Sequence, residues 1–378
     1  MKIGIVTHYM PPHIGGIELV ADSLYDAYRS AGFEARWVAA RSPDTAPSRE
    51  DGRIRVRCWN GLERRLGVPW PVLGLEGVRE LKHLVRWADL LHVHDSLYAG
   101  TAVSVRMARN ANKPILLSQH IGFVRYPSAV LNAVEHIANK TLGRAMLRSA
   151  THVVFCTSAA QQFASALLNG RVANTSYIPN GIDTGRFRPP SQSERASARE
   201  MLKLSEPARI VLFVGRLVEK KGVDVLAELI KRMSSHVFLI VGDGPLRTTI
   251  PTEADNVGWF PRIDPEAMAQ VYQAADVFIL PSHGEGLPLS VQEAMATGLP
   301  AVVTKDEAFT AKLEQEGACL ATARTVEAFR QALERLAGET SLSASLSARS
   351  RELALREWSL DVMTARYLAL IRELTAKH

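Results

Sequence analysis

The chain has 378 residues, of which 47% are hydrophobic and 22% charged, a composition that excludes fibrous and disordered proteins. Because one domain usually holds about 100–200 residues, this length predicts two domains. The net charge of +6 lies in the first half, where residues 1–180 contain 21 Lys and Arg against 13 Asp and Glu, which favours an acidic partner there without identifying it.

The first half alternates apolar, β-branched runs with helical patterns. The predicted strands are Ile3–Thr7, Ala35–Ala39, Ile54–Arg57, Leu90–His94, Ile115–Ser118 and His152–Cys156. The predicted helices cover about residues 17–31, 76–87, 97–110, 128–149 and 158–168. Such alternation predicts βαβ units and a parallel sheet.

A second alternating series follows a polar, turn-rich stretch at residues 180–194. Its predicted strands are Arg209–Val214, Val237–Val241, Val257–Trp259, Val277–Leu280 and Ala301–Val303. From Thr325 onward the pattern is helical, and one apolar face is formed by Trp358, Met363, Tyr367, Leu370 and Leu374. We therefore predict a first domain of residues 1–180 and a second of 181–358, with a last helix, 359–378, that folds back onto the first.

Cysteine spacing and hydropathy bear on the cellular compartment. Cys58, Cys156 and Cys319 lie far apart and match no disulfide framework or zinc spacing. The apolar run at the start is too short for a signal peptide, and no run approaches the roughly 18 apolar residues of a membrane span. A cytoplasmic protein is expected.

Ligands of parallel sheets bind at the carboxyl ends of the strands, so the loops after the strands are candidate sites. The loop after the first strand contains Gly15 and Gly16 directly before a helix. Paired glycines allow close approach of a ligand, and helix N–H groups favour an anion. A tight strand-to-helix turn explains the same residues equally well. The loop lacks the GxGxxG spacing of a dinucleotide site, which disfavours a nicotinamide-dependent dehydrogenase.

The loop from Gly215 to Gly222 carries a cation near each end. Arg216 can make forked hydrogen bonds to a diphosphate, and Lys221 can supply a point charge. A charged surface turn is the alternative, which we favour for Lys220 and reject for Arg216.

The segment Pro281–Pro300 contains two glutamates eight positions apart. Glu285 lies between glycines, and Glu293 is predicted in the first turn of a helix that begins near Ser290. The two carboxylates can reach different parts of one ligand whose anionic group sits at the helix start. Spacing alone favours another role for Glu293, because Ser290-x-x-Glu293 has the pattern of a capping box.

His120 follows the fifth predicted strand. A lone histidine is more often packed or solvated than catalytic, and the sequence does not rank His120 against four others, His8, His13, His92 and His94.

Taken together, the Gly15-Gly16 loop, Gly215–Gly222, Val241-Gly-Asp-Gly-Pro245 and Glu285–Ala296 resemble family 4 of the retaining glycosyltransferases. The motifs span most of the chain in the family's order. The resemblance implies an α/β protein of the GT-B fold, in which two Rossmann-like, doubly wound domains face each other across a cleft and the C-terminal helix crosses back to the N-terminal domain. In this sequence Leu287 stands where the family commonly has phenylalanine.

The resemblance also implies site residues. Arg216 and Lys221 would hold the donor diphosphate, Glu293 the ribose hydroxyls and Glu285 the hydroxyls of the transferred sugar. The loop Gly286, Leu287, Pro288 and Leu289 would place backbone groups at the phosphates. Gly15 and Gly16 would let the first domain approach the donor, and His120 would lie beside the reacting sugar.

The implied reaction moves a sugar from a nucleotide-diphosphate sugar to a glycan or lipid-linked acceptor, as in cell-surface polysaccharide or glycolipid biosynthesis. The anomeric configuration would be retained, and neither a metal nor another cofactor is expected. Two rival hypotheses remain, a non-hydrolysing sugar-nucleotide epimerase and an inactive nucleotide-sugar-binding subunit.

The acceptor would meet the first, basic half. The segment from Gly61 to Trp87 mixes Arg64, Arg65, Lys82 and Arg86 with Trp70 and leucines, which suits a peripheral contact with an anionic membrane at its cytoplasmic face. A solvated loop and helix whose apolar residues pack inward would explain the same composition. No nucleic-acid partner is expected.

Overall fold

The computed structural model describes residues 1–13, 15–42, 45–61, 63, 70–123, 128–170, 174–204, 209–305 and 309–376. The chain forms two compact units, one of Met1–Gly181 with Met363–His378 and the other of Ile182–Val362. The sequence placed these boundaries after residues 180 and 358. No helix in the described part of the chain is both long enough and apolar enough to cross a bilayer.

The first unit is built on an eight-stranded sheet in the order β10-β9-β8-β7-β1-β2-β4-β3, parallel except for β3. Its strands are β1 (Lys2–Thr7), β2 (Glu34–Ala40), β3 (Ser48–Glu50), β4 (Arg53–Val56), β7 (Leu90–His94), β8 (Ile115–Gln119), β9 (His152–Phe155) and β10 (Thr175–Tyr177). A separate hairpin pairs β5 (Cys58–Trp59) with β6 (Val72–Leu73). Strand β1 lies between β7 and β2, so the order reverses at β1, where parallel sheets bind ligands.

Helices cover this sheet because its strands are apolar on both faces. They are α1 (Gly16–Ser30), α2 (Leu75–Trp87), α3 (Ala99–Asn110), α4 (Ala129–Ala138), α5 (Arg144–Ser149) and α6 (Ser158–Leu167). A π-helical turn, Asn139–Gly143, joins α4 to α5. Strand residues such as Val6, Val93 and Leu117 are buried in one cluster with helix residues such as Leu81.

The second unit has a six-stranded, fully parallel sheet in the order β13-β12-β11-β14-β15-β16. Its strands are β11 (Arg209–Val214), β12 (His236–Val241), β13 (Val257–Phe260), β14 (Val277–Leu280), β15 (Ala301–Thr304) and β16 (Leu320–Thr322). Its helices are α7 (Gln192–Met201), α8 (Val223–Arg232), α9 (Met268–Ala274), α10 (Leu289–Ala296), α11 (Thr310–Gln315), α12 (Val326–Gly338) and α13 (Thr340–Trp358). The order reverses at β11, between β12 and β14, which makes the loops after β11 and β14 the expected binding edge.

The last helix, α14 (Leu360–Ala376), contains the second unit boundary. Met363, Tyr367, Leu370 and Leu374 are buried as predicted, and the Tyr367 hydroxyl lies 2.8 Å from Ser118 Oγ on β8. The prediction was wrong for Trp358, which ends α13 and packs in the core of the second unit. The part of α14 that belongs to the first unit therefore packs through one continuous buried face.

Candidate functional site

The loops after β11 and β14 are joined to each other. The His283 N–H donates to the Lys220 carbonyl at 2.9 Å. Gly222 has a positive φ of 74°, and a Cβ on it would lie 2.0 Å from the Pro281 carbonyl oxygen, so only glycine fits this approach. The fold therefore brings together the two segments that carry the predicted cations and carboxylates.

Lys221 and Glu285 form an ion pair at the centre of this junction. Lys221 Nζ lies 3.0 Å from Glu285 Oε1, and the two side chains are 18% and 12% exposed. The Lys221 stem also runs beside Gly215, whose added Cβ would meet Cδ and Cε at 3.6 Å. The sequence placed these two groups on one ligand, and the structure places them in contact with each other.

The Gly242-Asp-Gly244 segment after β12 supports the Arg216 loop by close backbone contact. An added Cβ would lie 2.0 Å from the Gly215 carbonyl oxygen at Gly242 and 2.5 Å from that of Leu217 at Gly244. Two hydrogen bonds tie the loops, Leu217 N–H to the Asp243 carbonyl and Leu246 N–H to the Leu217 carbonyl. These glycines thus shape the loop that presents Arg216.

Arg216 itself is exposed, and its guanidinium makes no hydrogen bond or ion pair with any residue that the structure describes. Arg216 directly follows Gly215, and the Lys221 side chain packs beside that glycine. Its donors are thus available to a ligand at the carboxyl edge of the second sheet.

The capping-box interpretation of Glu293 is wrong. Helix α10 begins at Leu289, its N-cap is Pro288, and no side chain caps it. Glu293 therefore lies in the second turn, not the first, and its Oε2 accepts a 2.6 Å hydrogen bond from the Tyr272 hydroxyl. As at the start of any helix, the first N–H groups of α10, those of Leu289 and Ser290, have no acceptor within the helix.

The rest of this loop leads into that helix start. Gly284 has a positive φ of 69°, and Gly286 and Pro288 are half-buried. Leu287 packs in the core of the second unit, which anchors the loop between Glu285 and the helix. Leucine in place of phenylalanine is thus accommodated as a core side chain.

Burial raises the pKa of Glu293 to about 7, while the Tyr272 hydrogen bond and the charge of Arg186 oppose the shift. The folded protein therefore binds this proton more tightly than the unfolded chain. The resulting stabilisation is full below the ordinary pKa near 4.5 and is lost as the pH rises through 7. Above pH 7 the ionised carboxylate therefore lowers the free energy of unfolding.

Glu293→Gln should therefore raise the free energy of unfolding at pH 8 by about 2–3 kcal/mol, because the amide still accepts from Tyr272 without a buried charge. The gain should disappear at pH 4.5. Thermal unfolding at both values measures it, and the exposed Glu253→Gln of the same unit is the control. Destabilisation of equal size at both pH values would contradict a buried charge.

In the first unit, the start of α1 is occupied by the chain's own carboxylate. A Cβ on Gly15 would lie 2.2 Å from Glu18 Oε2, which explains the glycine. Glu18 is buried, and its Oε1 lies 3.1 Å from His8 Nε2 and 3.0 Å from His13 Nδ1. Sequence reasoning did not single out Glu18, although an acid three residues after the N-cap was the available signal.

His120 is buried at the carboxyl edge of the first sheet. Its Nε2 lies 2.9 Å from His94 Nδ1, and its Nδ1 lies 3.1 Å from Asn180 Oδ1. Burial lowers the pKa of His120 to about 4, so the ring is neutral at pH 7. The backbone N–H of His120 donates to Asp95 Oδ1 at 2.8 Å, and the Ile121 N–H donates to the same atom at 3.3 Å.

Asp95 was another residue that the sequence did not reveal. It has a positive φ of 58° and is buried, and burial raises its pKa to about 7. Its Oδ2 has no hydrogen-bond partner among the described residues. The hydrogen bonds that Asp95 accepts from the two N–H groups hold the backbone of the His120 loop in place.

Family models and individual proteins resemble this chain. A model described as Glycosyltransferase Family 4 matches residues 14–186, and one described as Glycosyl transferases group 1 matches residues 208–339. TuaC of Bacillus subtilis, assigned to teichuronic acid biosynthesis as a glycosyltransferase, is 31% identical over 60% of this chain and 56% of its own length. The chain thus spans about half of that relative.

Another relative matches from end to end. The GDP-mannose-dependent alpha-(1-6)-phosphatidylinositol monomannoside mannosyltransferase of Mycolicibacterium smegmatis is 28% identical over 97% of each chain. Among solved structures, sucrose-phosphate synthase of Thermosynechococcus elongatus aligns over 100% of both chains with a TM-score of 0.77 and 21% identity. Anabaena HepE in complex with UDP and glucose aligns over 98% of this chain and 99% of its own, with a TM-score of 0.77 and 17% identity. These likenesses support the two-domain α/β architecture of the GT-B fold.

Proposed function

We propose that this chain, which belongs to the family 4 glycosyltransferases, moves a sugar from a nucleotide-diphosphate sugar to a glycan or lipid-linked acceptor in cell-surface polysaccharide or glycolipid biosynthesis. The observation that carries the proposal is the Lys221–Glu285 pair, which lies where the second sheet reverses its strand order. A cation and a carboxylate held side by side suit a ligand whose anionic diphosphate is joined to a hydroxyl-rich sugar.

Each predicted residue then has a role at the donor. Arg216 and Lys221 bind the diphosphate, Glu285 accepts hydrogen bonds from hydroxyls of the transferred sugar, and Glu293 accepts from the ribose. The N–H groups at the start of α10, which have no acceptor within the helix, add donors for phosphate oxygens. Support comes from the Arg216 guanidinium, which pairs with no described residue. It also comes from the raised pKa of Glu293, because hydrogen bonds from ligand hydroxyls would offset the cost of burying its charge.

The reaction breaks the bond between the anomeric carbon and a phosphate oxygen and forms a bond from that carbon to an acceptor oxygen on the same face. The acceptor proton passes to the departing phosphate. Lys221 and Arg216 stabilise the negative charge that grows on the diphosphate, which is the task that a metal performs in other enzymes. We therefore propose retention without a metal. Glu285 is engaged by Lys221, which disfavours it as a nucleophile in a double displacement.

A panel of nucleotide sugars that includes UDP-glucose and GDP-mannose tests this function. A donor that binds only the folded state should stabilise it by about 2.7 kcal/mol at a hundred times its Kd, which thermal unfolding detects. The donor identified in this way is then incubated with lipid-linked and glycan acceptors, with and without EDTA, and the product is examined by NMR. We expect transfer with retention that EDTA does not reduce.

Other outcomes would contradict parts of the proposal. Inversion at the anomeric carbon would exclude same-face substitution, and loss of transfer in EDTA would exclude metal independence. Interconversion of the donor without transfer would favour the epimerase. Donor binding without transfer or donor hydrolysis would indicate a binding subunit.

We also propose that the protein works at the cytoplasmic face of the membrane, where a lipid-linked acceptor is presented. The surplus positive charge of its first half supports this placement.

A further inference from the structure

Helix α4 of the first unit presents its apolar side to solvent. Val130, Val134 and Ile137 are 72%, 46% and 62% exposed, and their spacing places them on one side of the helix. The opposite side is polar and buried, with Glu135 and Asn139 turned inward. A helix packed on a core normally has the reverse arrangement, so this face suits an apolar or interfacial environment.

The positive charge of the chain is concentrated in the stretch of sequence that contains this helix. Residues 96–182 contain eight Lys and Arg against one acid, Glu135, whereas residues 1–95 contain thirteen against twelve. Six of the eight cations are described by the structure, and none of the six forms an ion pair with a described residue; they are Arg106, Arg109, Lys113, Lys140, Arg144 and Arg148. Because the single acid is buried, the acid-poor surface carries an unscreened positive field.

The fold connects the apolar face to these cations. Helix α4 continues through the π-helical turn into α5, which carries Arg144 and Arg148, and Arg109 on α3 donates to Ser149 at 3.1 Å. A Cβ on Gly143 would lie 3.4 Å from Leu97, just past the carboxyl end of β7. Gly143, five residues after the end of α4, therefore lies near the carboxyl end of β7, and the ten residues of α4 make a helix about 15 Å long.

The segment that the sequence analysis considered for membrane contact, residues 61–87, fits less well. Arg64, Arg65 and Leu66 lie outside the described residues. In α2, Leu81, Leu84 and Val85 pack inward, and the Trp87 ring is covered by the Arg36 guanidinium at 4.3 Å. Val72 and Leu75 at the start of this segment are 45% and 80% exposed, but the apolar face of α2 packs on the core, whereas α4 has its apolar side exposed.

We propose that the outer face of α4 and the cations of α3 and α5 form a docking surface for a bilayer that contains anionic phospholipid. The valines and the isoleucine enter the interface between headgroups and acyl chains, and the cations contact phosphates. Exposed apolar side chains on the same helical stretch as Lys140, Arg144 and Arg148, with no exposed acid among the described residues of 96–182, fit a negatively charged lipid surface. The docking surface refines the membrane contact proposed above and involves no donor-site residue.

Flotation with vesicles of phosphatidylglycerol and phosphatidylcholine, without any sugar donor, tests the surface. The full chain should float with anionic vesicles at low salt. It should dissociate from them at about 0.5 M salt, because exposed charges are then screened. It should not bind vesicles of pure phosphatidylcholine. The triple variant Val130→Gln, Val134→Gln, Ile137→Gln should bind at least about tenfold less. The matched control, Met201→Gln with Leu355→Gln, changes exposed apolar residues of the second unit and should bind normally.

Charge is tested separately. Lys140→Glu with Arg148→Glu should weaken partitioning at least about 25-fold, since each cation near an anionic surface contributes about fivefold. Lys203→Glu with Arg262→Glu makes the same change in net charge on exposed residues of the second unit and should have little effect.

A fluorescence measurement guards against misfolded variants. An environment-sensitive dye on Val134→Cys, in a Cys58→Ser background where Cys156 and Cys319 are buried, should shift to shorter wavelength with anionic vesicles. The same dye on Met201→Cys should not.

Three results would overturn the proposal. The first is that the full chain does not float with anionic vesicles. The second is that each control pair reduces flotation as much as the α4 variant that it matches. The third is that the emission of the dye at residue 134 does not shift when vesicles are added. A dimer in light scattering that the triple variant dissociates, without vesicle binding, would assign the face to a second copy of the chain. Donor binding is measured independently, so failure here leaves the proposed transferase activity standing.

Discussion

Lys221→Met should lower kcat/KM for glycosyl transfer by about 10²- to 10³-fold, the loss expected when one preorganised stabiliser of a developing anion is removed. The Lys221 ammonium is fixed 3.0 Å from Glu285 before any donor binds, and its stem passes Gly215. Methionine keeps the apolar stem and removes the charge. If the ammonium stabilises the leaving diphosphate more than the bound donor, steady-state kinetics will show the loss mainly in kcat.

The adjacent lysine gives a matched control. Lys220 is exposed, and its backbone carbonyl, which accepts from His283, is unaffected by a change of side chain. Lys220→Met should therefore keep kcat/KM within about twofold of the unchanged protein, as surface substitutions usually do. Equal losses in the two variants would indicate a general effect of charge on the loop.

A double variant separates a binding site from a structural ion pair. Removing one partner leaves the other charge unpaired, so each single change should lower the free energy of unfolding. Lys221→Met with Glu285→Gln should recover that stability because both charges are gone, yet it should stay inactive because diphosphate and sugar have both lost their contacts. Recovery of activity together with stability would show that the pair only holds the loops together.

The pattern of strands and helices was predictable because the central strands are long and apolar. The strands that the sequence missed are short or polar edge strands, such as Ser48–Glu50 and Thr175–Tyr177. Their pairing comes from the neighbouring strand, and their own residues carry little signal. Prediction from local pattern is therefore best where burial is greatest.

Two Ser-x-x-Glu patterns show where local reasoning fails. Ser191 and Glu194 form a real capping box at the start of α7, inside a stretch that we interpreted as turn-rich. Ser290 and Glu293 do not, because the N-cap of α10 is Pro288, two residues before Ser290, and the hydroxyl of Tyr272, distant in sequence, donates to the carboxylate. The deciding contact is tertiary, so the spacing could not distinguish the two.

The same limit applies to the site. Family motifs selected Lys221 and Glu285, and their contact became visible only when β11 and β14 were seen to be neighbours. Asp95 was missed because it acts through a contact with His120, in a segment that the sequence pattern does not connect to it. Glu18 was missed although its place in the first turn of α1 was visible in the sequence.

His120→Ala should lower kcat by about 10²-fold or more if the ring contacts the reacting sugar, with a small change in donor affinity. Burial holds the pKa of His120 near 4, so the ring acts as a neutral hydrogen-bonding group and not as a cationic acid. The pH profile of kcat should therefore show no ionisation of this residue between pH 6 and 8. The exposed His83→Ala of the same unit is the control. A step near pH 6.5 that His120→Ala removes would contradict a buried neutral ring.

Asp95 provides the positioning test for His120. Asparagine tolerates the positive φ of 58° and keeps an oxygen for the N–H groups of His120 and Ile121, so Asp95→Asn should retain most of kcat. Asp95→Ala removes the acceptor, leaves two N–H groups unsatisfied and should lower the free energy of unfolding by about 1–3 kcal/mol for each group. Its kcat should fall toward that of His120→Ala, and the double variant should fall little further, because both changes disturb one catalytic unit. Additive losses in kcat would mean that Asp95 stabilises the sheet edge without orienting the His120 ring.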